Sequence, residues 1–322
     1  RVGASVTSGF LSPDGNLNAF KMTETASTGV HYVGSSNIGV TLGNDTTFSV
    51  FVKKGESNFI QLLFSGASHS SSNYANFDLL NGVLGSVGGG VAKIEFIGGF
   101  YRCSFTSQAT ATTATNAYIW KIQSATSPRA ESYTGDGTSG VYIYGAQLEL
   151  GSYSTSYIKS DGSQTTRNQE TCINATPEIK SEQGVLYAEI SALSNDLTQR
   201  AISLSDGTNT NRIALLYNDA TSAIRLFVQV GGATQASIIT TSYTITDFHK
   251  IAVRWALNAF SLWVDGVEVG TDTSGSTFTS DTLSTLDFNF PLGGADFFGN
   301  TKDVQVYTKA LSDAELIKLT TI

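Results

Sequence analysis

The sequence is poor in the residues that catalytic and metal sites use most. Its 322 residues include 3 His, 2 Cys and 1 Met. The histidines, His31, His69 and His249, have no metal-ligand spacing to one another, and no H-E-x-x-H, G-x-S-x-G or P-loop pattern occurs. These absences argue against zinc-hydrolase, serine-hydrolase and P-loop chemistry.

Charge is also scarce and is unevenly placed. Charged residues make up 14% of the chain and the net charge is -8. Residues 1–170 hold ten Lys/Arg against eleven Asp/Glu, whereas residues 171–322 hold nine against sixteen. Nucleic-acid binding needs clustered Lys/Arg, so we expect no nucleic-acid partner. No apolar run approaches the roughly 20 residues of a membrane helix, so we expect no membrane insertion.

The two cysteines, Cys103 and Cys172, fall in different predicted domains. We therefore expect free thiols and not a disulfide, which suits assembly in a reducing cytoplasm.

What the sequence has in abundance is Gly (32), Phe (18) and Tyr (13), with Ser and Thr in every loop and almost no helical windows. This composition predicts an all-β chain of two antiparallel β-sandwiches. The chain is long enough for two cores. We predict a jelly-roll domain at 1–150, a polar linker at 151–177 and a second sandwich at 178–322.

Period-two patterns between Gly, Ser and Asn clusters predict the strands of the first domain. They are Ala19 to Glu24, Val30 to Gly34, Thr47 to Lys53, Phe59 to Ser65, Ala75 to Asp78, Ala92 to Phe96, Tyr101 to Thr106, Ala117 to Ile122 and Gly140 to Glu149. The Gly-rich run 82–90 lacks the Lys-Ser/Thr of a phosphate cradle and is interpreted as a flexible hairpin loop.

In the second domain, HKIAVRWALNAFSLWVDGVEVG predicts a hairpin. It places Ile251, Val253 and Trp255 on one core face. The chain then turns at Leu257-Asn258-Ala259, returns through Leu262 and Val264, and turns again at Asp265-Gly266. Near the end, Ser312 and Glu315 form a capping-box pattern for a helix from Asp313 to Leu319, which we expect to pack against the sandwich edge.

The first half carries segments of a known type. SPDGNLNAFKMTE, FSVFVKKGE, FYRCSFT, YTGDGTSGVYIYGAQLE and then AQLELGS, TSYI and TTR resemble, in order, a jelly-roll module of bacteriophage tail-fibre and other virion proteins. The resemblance implies a virion surface protein that is assembled in the host cytoplasm beside other virion proteins, commonly as a homo-oligomeric trimer. Because the chain enters this pattern late, we expect an N-terminal part of a longer polypeptide before Arg1.

The second half resembles laminin-G-like, concanavalin A-like lectin domains. The matching segments are GVLYAEIS, AISLSDGTNTNRIAL, the K-I-A-V-x-W and V-D-G strands, and FFGNTKDVQVYTKALSDAELIKLT. The resemblance implies that the first and last strands pair. It also allows calcium at the sandwich rim, for which Asp196, Asp206 and Asp219 are the loop candidates.

Concanavalin A-like sandwiches also include glycoside hydrolases, which resemble one another in an E-x-D-x-x-E run. That run is absent here: Glu189 stands alone in its strand, and Asp287 has Asn289 two residues on. The sequence therefore predicts no enzyme.

Aromatic residues are the better candidates, because a sugar stacks its C–H face on a flat ring. Alternation puts Tyr118 with Trp120 on one strand face and Tyr142 with Tyr144 on another, and turns Trp263 away from the main core. These five residues are the predicted glycan-binding candidates.

Three functions follow. The leading hypothesis is a non-enzymatic tail fibre, tailspike or capsid fibre that adheres to bacterial surface polysaccharide. The second is a set of carbohydrate-binding modules from a secreted polysaccharide-degrading enzyme, and the third is a purely structural virion decoration protein.

Overall fold

The structure is a computed structural model that describes residues 1–35, 38–160, 165, 177–217, 220 and 222–322. It divides into two compact units, Arg1–Asn168 and Gln169–Ile322. The units are described separately below.

The described residues of the first unit form fifteen strands, because short runs of alternating apolar and polar residues are separated by turn residues. They are β1 (Ala4–Phe10), β2 (Ala19–Glu24), β3 (Thr28–Gly29), β4 (Tyr32–Gly34), β5 (Ile38–Val40), β6 (Asp45–Lys54), β7 (Phe59–Phe64), β8 (Tyr74–Asp78), β9 (Val83–Gly88), β10 (Val91–Ile97), β11 (Phe100–Gln108), β12 (Thr113–Thr115), β13 (Ala117–Lys121), β14 (Tyr133–Thr134) and β15 (Gly140–Leu150).

Two antiparallel sheets make the sandwich of the first unit. The six-stranded sheet has the order β1-β2-β15-β6-β11-β10, and the five-stranded sheet has the order β4-β13-β7-β8-β9. Their inner faces enclose one apolar core, with Val50 and Phe105 from the first sheet and Leu62 and Phe77 from the second. Cys103 is a free, fully buried thiol in this core, whereas Cys172 lies outside the described residues.

In the second unit, the residues that the structure describes form ten strands and one helix. They are β16 (Gly184–Ala192), β17 (Arg200–Ser205), β18 (Arg212–Tyr217), β19 (Ile224–Val230), β20 (Ala233–Thr240), β21 (His249–Trp255), β22 (Phe260–Val264), β23 (Val267–Asp272), β24 (Thr285–Asp287), β25 (Gly299–Tyr307) and α1 (Asp313–Thr320).

The second unit is also a two-sheet antiparallel sandwich, so the predicted all-β class with two antiparallel sandwiches is confirmed. One sheet, β23-β22-β21-β16-β25, carries the helix and is called the helix-side sheet below. The other, β20-β19-β18-β17-β24, is called the arginine-side sheet. The first strand of the unit, β16, pairs with the last, β25, as the lectin resemblance implies.

The predicted hairpin and helix of the second unit both form. Ile251 pairs with Val264 and Val253 with Leu262, and all four point into the core. Asp265 and Gly266 have φ values of 50° and 80°, as a type I′ turn requires. Ser312 caps α1, and its hydroxyl and Glu315 make both bonds of the capping box.

Three local predictions were wrong or incomplete. The Gly-rich run 82–90 is not a flexible loop, because its residues Val83–Gly88 form β9 and pair with β8. The predicted strands also omitted β1, which pairs with β2 and forms one edge of the six-stranded sheet. Residues 151–158, placed in the linker by their composition, return to the first unit, where Tyr157 packs edge-on against Phe51.

No helix in the described part of the chain is long and apolar enough to cross a membrane.

Candidate functional site

Tyr142 and Tyr144 lie on the outer face of the six-stranded sheet, as alternation predicts, because the alternating residues Val141 and Ile143 point into the core. Tyr142 is half-buried. Its ring meets Phe10 edge-on at 5.0 Å between centroids, and Lys21 Nζ lies 5.8 Å from its centroid. The ring therefore offers part of its surface beside a cation.

Tyr144 is tied to the loop between β1 and β2. Its hydroxyl donates to Asp14 Oδ2 at 2.8 Å, and its ring lies 5.4 Å from that of Tyr157. Burial and the bond to Asp14 raise the pKa of Tyr144 to about 12. Hydrogen bonds from Ser12, the Asn16 N–H and Tyr144 hold the pKa of Asp14 well below its ordinary value. We call Phe10, Tyr142, Tyr144 and Tyr157 the tyrosine face.

Tyr118 and Trp120 also share a face, but it is the outer face of the five-stranded sheet. The two predicted tyrosine and tryptophan pairs therefore lie on opposite sides of the sandwich and do not form one platform. Trp120 is only 8% exposed and stacks on Tyr32 at 4.6 Å and 19°, and half-buried Tyr118 meets Tyr32 edge-on at 5.3 Å. Trp120 is thus a packing residue, while Tyr118 keeps an accessible edge.

Trp263 requires a correction. It does point away from the main core, but α1 covers it: its side chain packs with Val185, Leu311 and Leu316 and is 3% exposed. The indole N–H donates to Ser261 Oγ at 3.0 Å. The helix packs on the outer face of the helix-side sheet and not at the sandwich edge, so this ring cannot stack on a sugar.

The calcium candidates do not converge in the described residues. Asp196 accepts two hydrogen bonds from Arg200 Nη2, at 3.0 and 3.2 Å, and one from Ser194. Asp206 accepts from Thr208 and Asn211 within its own turn. Asp219 lies outside the described residues. Across the described ranges, no three His, Cys, Asp or Glu side chains come together as a metal site.

A buried ion pair holds one end of the first unit together. Lys121 Nζ donates to Glu24 Oε2 and to Ser139 O, and Tyr133 Oη donates to Glu24 Oε2 at 2.6 Å. Burial by itself raises the pKa of Glu24, but the bonds from Lys121, Tyr133 and the Asp136 N–H outweigh it, so the pKa lies below its ordinary value. The network joins β2, β13 and residues 133–139 through these bonds, so we assign it a structural role.

The sequence reasoning missed a cluster of arginine and phenylalanine on the outer face of the arginine-side sheet. Arg212 and Phe227 project outward because their neighbours Ile213 and Val228 fill the core. The Arg212 guanidinium lies 4.3 Å from the ring centroid of Phe290 and 5.4 Å from that of Phe227, and the Arg225 guanidinium lies 5.2 Å from the centroid of Phe227. We call Arg212, Arg225, Phe227 and Phe290 the arginine face.

Arg212 is the member of this face with unused donors. Its Nη1 donates to Asn209 Oδ1 at 2.8 Å, while its buried Nε has no acceptor. No carboxylate of the described residues lies within ion-pair distance of Arg212, and burial lowers its pKa. Small neighbours make room for this arrangement: Ala201 and Ala214 are buried beneath Phe290.

The alternation R-I-A-L-L-Y and I-R-L-F-V-Q-V places these side chains outward, so each strand carried a signal. The sequence did not show which of these outward side chains lie next to one another in the folded sheet. Phe227 lies directly across from Ala214 in the sheet, and Phe290 comes from a distant segment.

The second half of the chain is similar to one broad group of known proteins. Residues 165–317 match the model described as "Concanavalin A-like lectin/glucanases superfamily". The sandwich therefore has the concanavalin A-like fold. No curated protein sequence matches the chain.

Solved structures with partial similarity include the Ruminococcus gnavus IT-sialidase CBM40 bound to alpha2,3 sialyllactose, at 19% identity over 44% of this chain and 83% of that one, with a TM-score of 0.38. The SAP-like pentraxin of Limulus polyphemus is 14% identical over 43% and 70% of the two chains, with a TM-score of 0.35. The carbohydrate-binding module CBM66 of Bacillus subtilis is 11% identical over 41% and 80%, with a TM-score of 0.31. Likeness of this extent does not define a ligand.

Proposed function

We propose that this chain is a non-enzymatic glycan-binding protein whose second unit holds sugar on the arginine face. One observation carries the proposal. Half-buried Arg212 lies beside the rings of Phe227 and Phe290, its buried Nε has no acceptor, and it has no carboxylate partner among the described residues. A buried polar group without a partner is costly, but the described residues hold eight such side-chain atoms, the Nε of Arg254 among them. Arg212 differs from Arg254 in the two rings beside it and in having no carboxylate partner among the described residues, whereas Arg254 pairs with Asp313. The match of residues 165–317 to a lectin and glucanase superfamily makes sugar the favoured ligand.

The chemistry of the face suits a sugar. Guanidinium donors reach hydroxyl or carboxylate oxygens, and the exposed parts of the Phe227 and Phe290 rings offer apolar contact to C–H groups. Gln229 follows Phe227 on the same side of β19, where its amide donates to Gly232 O at 2.9 Å. A site of a few such groups binds single sugars weakly, and multivalent display raises the overall affinity.

The same face lacks what hydrolysis needs. A glycosidase requires two carboxyl groups about 5 to 9.5 Å apart across the scissile bond. The five strands of the arginine-side sheet, whose residues are all described, carry one carboxylate, Asp287 of β24, and so no pair of carboxylates. We therefore infer binding without cleavage.

The tyrosine face is the second proposed sugar surface, with the predicted candidates Tyr142 and Tyr144 at its centre. Both rings are half-buried and lie beside Lys21 and Asp14, which supply a cation and an acceptor. Tyr118 is a further sugar-binding candidate, on the outer face of the five-stranded sheet. Replacing an engaged ring by Ala is expected to weaken sugar retention by about 1 to 3 kcal/mol.

The biological setting is proposed from the sequence resemblance of the first half to phage tail-fibre modules. In that setting the chain lies on a virion surface and adheres to bacterial surface polysaccharide. A carbohydrate-binding part of a secreted polysaccharide-degrading enzyme would use the same surfaces. A purely structural decoration protein is the second candidate, and the burial of Trp120 and Trp263 is the observation that favours it.

Replacing Arg212 tests the site. On a polysaccharide that the protein retains, Arg212→Ala should weaken binding about tenfold or more, the scale of a lost charged hydrogen bond. Arg254→Ala is the matched control, because Arg254 lies on the helix-side sheet and bonds Leu311 O and Asp313. Equal binding by wild type and Arg212→Ala, with a loss in Tyr142→Ala, would move the site to the tyrosine face.

A further inference from the structure

The six-stranded sheet of the first unit ends in an open edge. β10 pairs with β11 on one side, and no described strand pairs with its other side. Gly98 and Gly99, with φ values of 58° and 80°, form a two-residue turn between the paired residues Ile97 and Phe100. In such a hairpin the residues that flank the turn exchange both backbone hydrogen bonds, and the pattern alternates along the strand.

This alternation fixes which backbone groups face outward. The amide and carbonyl groups of the odd-numbered residues of β10 point to β11, so those of Ala92, Ile94 and Phe96 point to the open edge. Within the described residues no hydrogen bond reaches these outward groups. An open strand edge of this kind is a template for another strand.

The open edge is also apolar. Val91 is 74% exposed, Phe96 68% and Ile97 44%. The neighbouring strand β9 forms the edge of the five-stranded sheet and adds exposed Val83 and Leu84. Soluble proteins usually protect such an edge with charge or bulges. The only charged residues of β10 are Lys93 and Glu95, which form a solvent-exposed ion pair at 2.9 Å within one chain and so leave room for a second opposite charge from a partner strand.

The sequence of β10 is complementary to itself. Antiparallel pairing with a second copy, about a two-fold axis at Ile94, sets Lys93 opposite Glu95, Ala92 opposite Phe96 and Val91 opposite Ile97. Charge meets opposite charge, the largest side chain meets the smallest, and two exposed aliphatic residues meet. Shifting the axis to residue 93 or 95 would instead oppose two lysines or two glutamates, so charge disfavours both of these registers. The axis at Ile94 also pairs all seven residues of β10.

We propose that two copies of this chain associate through β10, which joins their six-stranded sheets into one continuous antiparallel sheet. The occupant of the edge is thus a second copy, chosen by the complementarity of Lys93 and Glu95. Residues 1–170 carry nearly balanced charge, which leaves little repulsion to oppose the contact. The proposal does not depend on sugar binding, although a dimer would present every sugar surface twice.

Charge reversal in the full chain tests the contact by sedimentation velocity over a concentration series. Lys93→Glu sets glutamates opposite each other at two positions of the dimer, and Glu95→Lys sets lysines there. Each is expected to weaken association about tenfold or more, because two cross-strand pairs become repulsive. The double reversal, K93E with E95K, restores complementarity and should restore the wild-type dimer.

Cysteine cross-linking tests the register, in a Cys172→Ser background. Residues 93 and 95 of two copies would be a directly opposed, closely spaced pair, about 4.5 Å between Cα atoms and within disulfide range. An equal mixture of Lys93→Cys and Glu95→Cys proteins should form a disulfide-linked dimer under mild oxidation, while neither protein alone should. A monomeric wild type, an oligomer that ignores the charge reversals, or cross-linking by either protein alone would overturn the proposal.

Discussion

Removing the Trp263 side chain should destabilise the second unit strongly, even though the residue lies outside the main core. Its ring is 3% exposed between the helix-side sheet and α1, where it contacts Val185, Leu311 and Leu316. A buried aromatic side chain removes about 150 to 250 Å² from water, which at about 25 cal/mol per Å² is about 4 to 6 kcal/mol as an upper value. Measured Trp→Ala substitutions in cores cost about 3 to 5 kcal/mol. We therefore expect Trp263→Ala to lower the free energy of unfolding by about 3 to 5 kcal/mol.

Urea denaturation followed by far-ultraviolet circular dichroism measures this loss without relying on tryptophan fluorescence. Trp263→Phe keeps most of the ring but leaves Ser261, which is fully buried, without the indole donor. It should cost less, about 1 to 2 kcal/mol, and leave sugar retention unchanged. Leu257→Ala is the surface control, since Leu257 is 66% exposed and should change stability by about 0.5 kcal/mol or less. A loss below about 1 kcal/mol in Trp263→Ala would refute the packing role, because that is the scale of an exposed position.

Further expectations concern the first unit and the helix. Glu24→Gln should lower the free energy of unfolding of the first unit by about 3 to 5 kcal/mol, because it leaves the Lys121 ammonium buried without its partner. Glu56→Gln, in the more exposed pair with Lys21, should cost about 1 kcal/mol or less. Similar losses for the two variants in urea denaturation would contradict this expectation. The pKa of Glu24 in the folded protein lies below its unfolded value, so the stability that Glu24 contributes is present above about pH 4.3 and is lost as the pH falls through the folded pKa. The difference in unfolding free energy between wild type and Glu24→Gln should therefore shrink as the pH is lowered through this range. Burial raises the pKa of the Cys103 thiol well above its ordinary value. In a Cys172→Ser background, a thiol reagent should therefore modify Cys103 only after unfolding. Rapid labelling of the native protein would contradict the burial of Cys103. Ser312→Ala should cost about 1 kcal/mol through loss of the helix cap, measured as faster amide exchange in the first turn of α1; unchanged exchange there would show that the capping box contributes nothing.

Local patterns in the sequence were enough for much of the fold. The alternation through Ile251, Val253 and Trp255 gave the core face of β21, and the Asp265-Gly266 pair gave the turn after β22. The capping box at Ser312 gave the start of α1 within the observed bounds. Each of these signals is carried by residues that lie close together in the chain.

Features that depend on distant contacts were not accessible in this way. β9 is rich in glycine and forms because β8 offers it a partner. Trp263 has the outward position that alternation predicts, but burial by α1 depends on a segment about fifty residues away. The arginine face requires β18, β19 and Phe290 to meet, and no local pattern shows that meeting.

The most direct test of the central claim is incubation of the full chain with a panel of bacterial surface polysaccharides. Affinity electrophoresis measures retention, and a reducing-end assay on the same samples measures cleavage. The account predicts retention on at least one polysaccharide, weakened by Arg212→Ala and not by Arg254→Ala, with no new reducing ends. Release of oligosaccharides would contradict binding without hydrolysis, and absence of retention across the panel would favour the structural decoration role.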